Sequence, residues 1–150
     1  MEKRVRIILI EDHAPDVYLL QAALRKSQVE FDLIRFEDGE LALLALRKQG
    51  PDALELPDLV ILDLNVPRID GMDVLRAIRK DPAMAKVPVA ILTSSPAPKD
   101  KMDAMEAGAD RFITKPGDLK SFVAIVGGSI KGLIEERTQK GERDGPNMCK

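Results

Sequence analysis

The chain has 150 residues, of which 45% are hydrophobic and 32% charged, and its formal net charge is −2 at pH 7. This composition is typical of one globular domain with a core of its own, and the charge gives no support to a nucleic-acid-binding surface. Its one cysteine, Cys149, excludes an intramolecular disulfide, and the apolar run near the N-terminus is too short for a signal peptide or a membrane span, so we expect a cytoplasmic protein.

Short apolar runs predict five β-strands. In chain order they cover residues 6–10, 31–36 (the weakest candidate), 59–62, 87–92 and 111–113. Hydrophobicity that is continuous rather than alternating is typical of strands buried on both faces, as in a parallel sheet between two layers of helices.

Segments with helical spacing lie between these runs. Apolar residues recur with a period near 3.6 at Val17, Leu20, Ala23 and Leu24, at Leu41, Leu44 and Ala45, at Val74, Leu75 and Ile78, in a more polar stretch at Met102 and Met105, and at Phe122, Ile125, Val126, Ile130, Leu133 and Ile134. Strand and helix therefore alternate five times, which predicts a doubly wound α/β domain.

Residues typical of turns and helix ends agree with this alternation. Pro15 suits the first turn of a helix, and the pairs 38–39 (DG) and 70–71 (DG) mark turns or helix ends. Residues 50–57 are predicted to form a loop, and Gly127-Gly128 should weaken the last helix or bend it. We place one domain at residues 1–137 and expect a disordered tail at 138–150, because that segment lacks apolar periodicity.

Polar residues follow four of the five strands. The first strand is followed by Glu11 and Asp12, the third by Asp63, the fourth by Thr93 with Ser94, and the fifth by Lys115. Ligands of open α/β sheets bind outside the carboxyl ends of the strands, so we expect these side chains to meet at one edge.

The residue types indicate phosphoryl chemistry with a metal ion. Three neighbouring carboxylates repel one another unless a cation lies among them, and ligands that are all oxygen favour Mg²⁺. A carboxylate beside such a metal can attack phosphorus and form an aspartyl phosphate. Lys115 would pair with phosphoryl oxygens, and the Thr93 hydroxyl could donate to one of them.

These residues carry a resemblance to a known family. The segment 62–71 (LDLNVPRIDG), together with Glu11-Asp12, Thr93-Ser94 and Lys115-Pro116, resembles the receiver domain of two-component response regulators from about residue 4 to 132. Such domains have a flavodoxin-like fold, so the resemblance implies a five-stranded parallel sheet of order 2-1-3-4-5 with helices on both faces.

The resemblance also implies roles for individual residues. Asp63 is then the phosphoacceptor, and Mg²⁺ is held by Asp12, Asp63 and the backbone carbonyl of Asn65, with Glu11 acting largely through water. Thr93 and Phe112 occupy the positions of a coupled switch, and Lys115 that of the phosphate-binding lysine, whose bond to Pro116 is typically cis. Phosphorylation would come from a histidine kinase, with no enzymatic activity beyond self-phosphorylation and self-dephosphorylation.

Within that family, the chain is similar to stand-alone regulators that partner bacterial phytochrome kinases. The similarity lies in residues 8–17 (ILIEDHAPDV), the loop 50–57, the segment 62–71 and residues 113–119 (ITKPGDL). It implies a phytochrome histidine kinase as donor, an unidentified downstream protein and homodimerisation as an output, with neither a nucleic acid nor a membrane as partner.

Three alternatives belong to other classes. A phosphatase with an aspartyl-phosphate intermediate would need an acid where Asn65 stands, and a flavin-binding protein would need a phosphate-cradling first loop, where Glu11 and Asp12 would repel phosphate. The third is a degenerate receiver that binds proteins without phosphorylation. The sequence leaves that alternative open.

Overall fold

The computed structural model describes residues 4–144. Five strands and five helices alternate along the chain: β1 Val5–Ile10, α1 Ala14–Lys26, β2 Phe31–Phe36, α2 Gly39–Arg47, β3 Leu59–Leu62, α3 Gly71–Lys80, β4 Val89–Thr93, α4 Pro98–Glu106, β5 Arg111–Thr114 and α5 Leu119–Asp144. The strands form one parallel sheet in the order β2-β1-β3-β4-β5, which confirms the predicted flavodoxin-like architecture.

Each face of the sheet carries its own core, which explains the continuous apolar runs. Along β1, Ile7 and Leu9 face the core formed with α1 and α5, whereas Ile8 and Ile10 face the core formed with α2, α3 and α4. Because both faces are covered, alternation between polar and apolar residues is lost in the central strands.

Helix α2 departs from the predicted apolar stripe. Leu41 and Leu44 are 51% and 61% exposed, and the buried face consists of Gly39, Ala42 and Leu43. Most positions of this helix are apolar, so its periodicity fits more than one face, and packing against the sheet selects the face with the smaller residues.

The two Asp-Gly pairs mark the starts of helices, in agreement with the prediction that they mark turns or helix ends. Asp38 and Asp70 are the N-caps of α2 and α3, where their carboxylates accept hydrogen bonds from the N–H groups of Leu41 (2.7 Å) and Met72 (3.0 Å). Gly108 follows α4 with a φ of +107°, a conformation that glycine adopts without strain.

Helix α5 packs against α1 through Gly127. A Cβ at this position would lie 2.7 Å from the carbonyl oxygen of Ala23 and 2.5 Å from Ser27 Oγ, whereas a Cβ at Gly128 would meet open space. Gly127 therefore permits a close approach of the two helices, and Gly127-Gly128 does not interrupt α5.

Helix α5 continues to Asp144, so the first part of the segment 138–150, which was expected to be disordered, is helical. Residues 145–150 lie outside the described residues.

Arg79 of α3 links two loops, the one before β4 and the one before β5. Its guanidinium donates to the carbonyl oxygens of Gly108 (2.9 Å), Ala85 (3.1 Å) and Val87 (2.7 Å), and it pairs with Asp110 at 3.0 Å. The planar fork of arginine suits several acceptors at once, so this side chain fixes the entries to β4 and β5.

Candidate functional site

Three carboxylates lie together at the carboxyl end of the sheet. Glu11 follows β1 and is 1% exposed, Asp63 follows β3 and is 5% exposed, and Asp12 is exposed to solvent. One oxygen from each of the three lies within 4.8 Å of the others. The parallel arrangement of β1 and β3 brings these acids to one edge, as the sequence predicted.

Backbone contacts fix the two segments that carry the acids. The Arg35 guanidinium, at the end of β2, donates to the carbonyl oxygens of Glu11 (3.0 Å) and Asp12 (3.1 Å). Asp63 N–H donates to Ile10 O at 3.0 Å, and Asn65 N–H donates to Asp63 Oδ1, also at 3.0 Å. One oxygen of the Asp63 carboxylate is therefore held by its own loop while Oδ2 is directed to another partner.

That partner is Lys115, which follows β5. Its Nζ lies 3.0 Å from Asp63 Oδ2, 2.7 Å from Glu11 Oε1 and 2.7 Å from Asp16 Oδ2. Lys115 N–H also donates to Thr93 O at 2.7 Å, which fixes the backbone at the root of the side chain. The ammonium is thus the common counter-ion of three acids.

Burial and hydrogen bonding set the charges of this cluster. Burial raises the pKa of the Glu11 carboxyl to about 7, although the hydrogen bond from Lys115 opposes the rise. Burial also acts to raise the pKa of Asp63, but the Asn65 N–H and the Lys115 ammonium outweigh it and hold that pKa below its usual value. At neutral pH Asp63 is therefore a charged carboxylate, the form needed for nucleophilic attack.

The charge of Lys115 is equally well defined. Burial alone would lower the pKa of the ammonium, but its hydrogen bonds to Asp16, Glu11 and Asp63 outweigh burial and raise that pKa above its usual value. Lys115 is therefore a permanent positive charge beside Asp63.

Thr93 and Phe112 lie on neighbouring strands. Thr93 is fully buried at the end of β4, and its Oγ1 accepts a hydrogen bond from Ser95 N–H at 3.3 Å. Phe112 of β5 pairs in register with Ile91 of β4 and is partly buried against the core beneath α2, α3 and α4. The position of the pair matches the expectation, and its role as a switch stays a prediction.

Glycine allows the acceptor loop to approach α3. A Cβ at Gly71 would lie 2.5 Å from the Asp63 carbonyl oxygen and 2.5 Å from Leu64 Cα, and Gly71 N–H donates to Leu64 O at 3.1 Å. The start of α3 thus packs directly against the residues that carry the acceptor.

One expectation about the backbone is wrong in this structure. The resemblance implied a cis bond between Lys115 and Pro116, but no peptide bond in the described part of the chain is cis. The trans isomer is the more stable form of most X–Pro bonds, by about 0.5–1 kcal/mol.

Sequence reasoning missed two residues of the site. Asp16 hydrogen-bonds to Lys115, and Arg35 holds the segment that carries Glu11 and Asp12. Asp16 lies in the first turn of α1, four residues after Asp12, so its nearness to the predicted acids along the chain was the one available signal. His13 is exposed, with its Nδ1 3.0 Å from Asp16 Oδ2.

The donor set fits a hard divalent cation. Glu11, Asp12 and Asp63 offer only oxygen ligands, and the exposed position of Asp12 leaves room for the water molecules that Mg²⁺ retains. The contacts of Asn65 involve its N–H, so its carbonyl as a ligand stays a prediction.

Comparison with known proteins agrees with this geometry. Residues 7–127 match the model of the family described as the response regulator receiver domain. The chain belongs to this family. The response regulator Rcp1 of Synechocystis sp. (strain ATCC 27184 / PCC 6803 / Kazusa) is 35% identical over 133 residues, which cover 88% of this chain and 90% of Rcp1.

A second relative shares only the receiver part. PleD of Caulobacter vibrioides is 30% identical over 144 residues, which cover 95% of this chain but 30% of PleD. The activity of the remainder of PleD therefore has no bearing on this chain.

Solved structures give the same family. The phosphorylated cyanobacterial phytochrome response regulator RcpA aligns with a TM-score of 0.78 and 34% identity, covering 85% of this chain and 91% of RcpA. The Mn²⁺-bound form of Rcp1 aligns with a TM-score of 0.76 and 34% identity, covering 83% of this chain and 90% of the Rcp1 chain. The bacteriophytochrome response regulator RtBRR aligns with a TM-score of 0.68 and 32% identity, covering 83% of this chain and 78% of the RtBRR chain.

Within residues 4–144, no helix combines the length and the apolar character needed to cross a membrane.

Proposed function

We propose that the protein is a single-domain response regulator of the cytoplasm that accepts a phosphoryl group on Asp63 and thereby switches a protein-interaction surface. The observation that carries this proposal is the position of the Asp63 carboxylate. It is buried and charged, lies 3.0 Å from the Lys115 ammonium, and belongs to an oxygen-rich cluster with Glu11 and Asp12.

Phosphoryl transfer would use these groups as follows. A carboxylate oxygen of Asp63 forms a bond to phosphorus while the bond from phosphorus to the donor's leaving group, a histidine nitrogen of the kinase, breaks. Lys115 donates to the phosphoryl oxygens and neutralises part of their charge, and the Thr93 hydroxyl donates to another oxygen. No catalytic activity toward other molecules is proposed.

Mg²⁺ is the cofactor that we propose for this site. Asp12, Asp63 and the backbone carbonyl of Asn65 would hold it, with Glu11 contributing through water. Bound there, the ion would neutralise charge that spreads over the transferring oxygens. The choice of Mg²⁺ rests on the oxygen donors, and the Mn²⁺-bound form of Rcp1 supports a divalent cation in a relative.

We further propose a phytochrome histidine kinase as the phosphodonor. Support comes from the relatives, because RcpA is described as a phytochrome response regulator and RtBRR as a bacteriophytochrome response regulator. The downstream output would be a direct protein contact. Homodimerisation is one form of it, for which Leu119 (62% exposed) and Ile125 (53% exposed) of α5 offer apolar surface.

Phosphoryl uptake from acetyl phosphate tests the central proposal. With Mg²⁺ present, intact-mass measurement should detect the gain of one phosphoryl group, which should disappear without the metal and in Asp63→Asn. Asp73→Asn is the matched control, since Asp73 lies in the first turn of α3 and pairs with Arg76 rather than with the cluster. Failure of the wild-type protein to gain mass would favour a degenerate receiver that binds proteins without phosphorylation.

A further inference from the structure

Lys115 has one more carboxylate partner than the proposed phosphoryl chemistry uses. An ammonium carries three N–H donors, and the three carboxylate oxygens nearest Nζ belong to Glu11, Asp16 and Asp63. Glu11 and Asp63 follow strands of the sheet, whereas Asp16 comes from the first turn of α1. One donor of Lys115 is therefore directed away from the phosphoacceptor and toward a helix.

The Asp16 contact is built into the fold. Its side chain is 17% exposed and that of Lys115 is 9% exposed, and their 2.7 Å separation equals that of the Lys115–Glu11 pair. The same Oδ2 atom lies 3.0 Å from Nδ1 of His13. An acidic residue in the first turn stabilises a helix through the helix dipole whichever way its side chain points. The dipole therefore does not explain why Asp16 bonds to Lys115, which lies 99 positions away in the chain.

We propose that Asp16 is a positioning residue that takes one hydrogen bond of the Lys115 ammonium and so limits how strongly this ammonium competes with a cation for the carboxylates of Glu11 and Asp63. This inference rests on the proposed function, because it concerns the same site. With Asp16 present, Lys115 shares its charge among three acids. Without Asp16, the ammonium would be shared by Glu11 and Asp63 alone and would compete more strongly with a cation for their oxygens.

Two electrostatic effects of removing Asp16 have the same sign. The site loses one negative charge, and Lys115 moves its donors onto the remaining acids. Both effects make the cluster less attractive to a divalent cation, so Mg²⁺ binding should weaken by about three- to tenfold, as expected for one nearby charge in a partly screened site.

The first measurement observes Lys115 itself in metal-free buffer. Protein labelled with ¹⁵N-lysine should give a side-chain ammonium signal for Lys115, identified by its loss in Lys115→Met. We expect the signal to broaden by faster proton exchange in Asp16→Ala and to shift in Asp16→Asn, which keeps an acceptor oxygen without the charge. Asp73→Asn, which removes a first-turn acid from α3 instead, should leave it unchanged.

The second measurement titrates the same variants with Mg²⁺ alone by calorimetry. We expect the Kd to rise three- to tenfold in Asp16→Ala, less in Asp16→Asn, and not in Asp73→Asn. An unchanged Lys115 signal, or an unchanged Kd, in folded Asp16 variants would overturn the proposal. If the wild-type protein took up no phosphoryl group, the proposed function would be rejected. The Lys115 signals expected for the Asp16 variants would not change, because they are measured without phosphorylation.

Discussion

The Nζ atom of Lys115 and the Oδ2 atom of Asp63 lie 3.0 Å apart and join the end of β5 to the end of β3. Strand β4 stands between these two strands, so the pair spans the site across a neighbour in the sheet. Together with the N–H of Asn65, this ion pair keeps the acceptor carboxylate charged, and loss of Lys115 would remove its counter-ion.

Lys115→Met should destabilise the metal-free protein. The substitution leaves Glu11, Asp16 and Asp63 without their shared ammonium, which we expect to lower the free energy of unfolding by about 3 kcal/mol. Mg²⁺ should then stabilise the variant more than it stabilises the wild type, because a cation replaces the missing charge. Urea unfolding with and without Mg²⁺ measures both effects. If Mg²⁺ raised the free energy of unfolding of the two proteins by the same amount, the argument would be contradicted.

Thr93→Ala should separate phosphorylation from the conformational response. The variant keeps Asp63 and Lys115, so it should still gain one phosphoryl group from acetyl phosphate. Because the hydroxyl is absent, phosphorylation should no longer shift the methyl signals of Met102 and Met105, which lie exposed on α4. Ser94→Ala is the control, since it removes the neighbouring exposed hydroxyl. Shifts in Thr93→Ala as large as those in the wild type would refute the proposed switch.

Arg79→Lys should destabilise the fold although it conserves the charge. A lysine cannot reach the carbonyl oxygens of Gly108, Ala85 and Val87 together, so partly buried acceptors lose their donors, at a cost of about 2–4 kcal/mol. Arg76→Lys provides the comparison. It affects one exposed pair with Asp73 and should change stability by less than about 0.5 kcal/mol in chemical denaturation.

Gly127→Ala and Gly128→Ala should change stability in opposite directions. The first places a methyl group 2.7 Å from the backbone oxygen of Ala23, which cannot move without separating α1 from α5, so we expect a loss of about 2 kcal/mol. The second adds a methyl group in open space and should stabilise the helix by about 1 kcal/mol. Thermal unfolding of both variants tests this prediction. If both substitutions changed the stability in the same direction, the helices would not pack as described.

The strands and the acids of the site could be predicted because each depends on local pattern. Continuous apolar runs indicated a two-sided sheet, and parallel strands bring the residues after β1, β3, β4 and β5 to one edge. The contact between Asp16 and Lys115 could not be predicted in the same way, because the direction of a first-turn side chain depends on how α1 rests on the sheet. The buried face of α2 was ambiguous for a related reason, since Leu41 and Leu43 are equally apolar.

Helix α5 supplies much of the core on the α1 side of the sheet, with Phe122, Val126, Ile130 and Leu133 all buried there. These residues are the last fully packed side chains of this core to be synthesised. Until they are synthesised, Ile7, Leu9 and Leu20 lack the α5 part of this core, and a nascent chain that stalled before residue 119 would leave that side of them exposed to solvent. The order of synthesis thus makes completion of this core a late event.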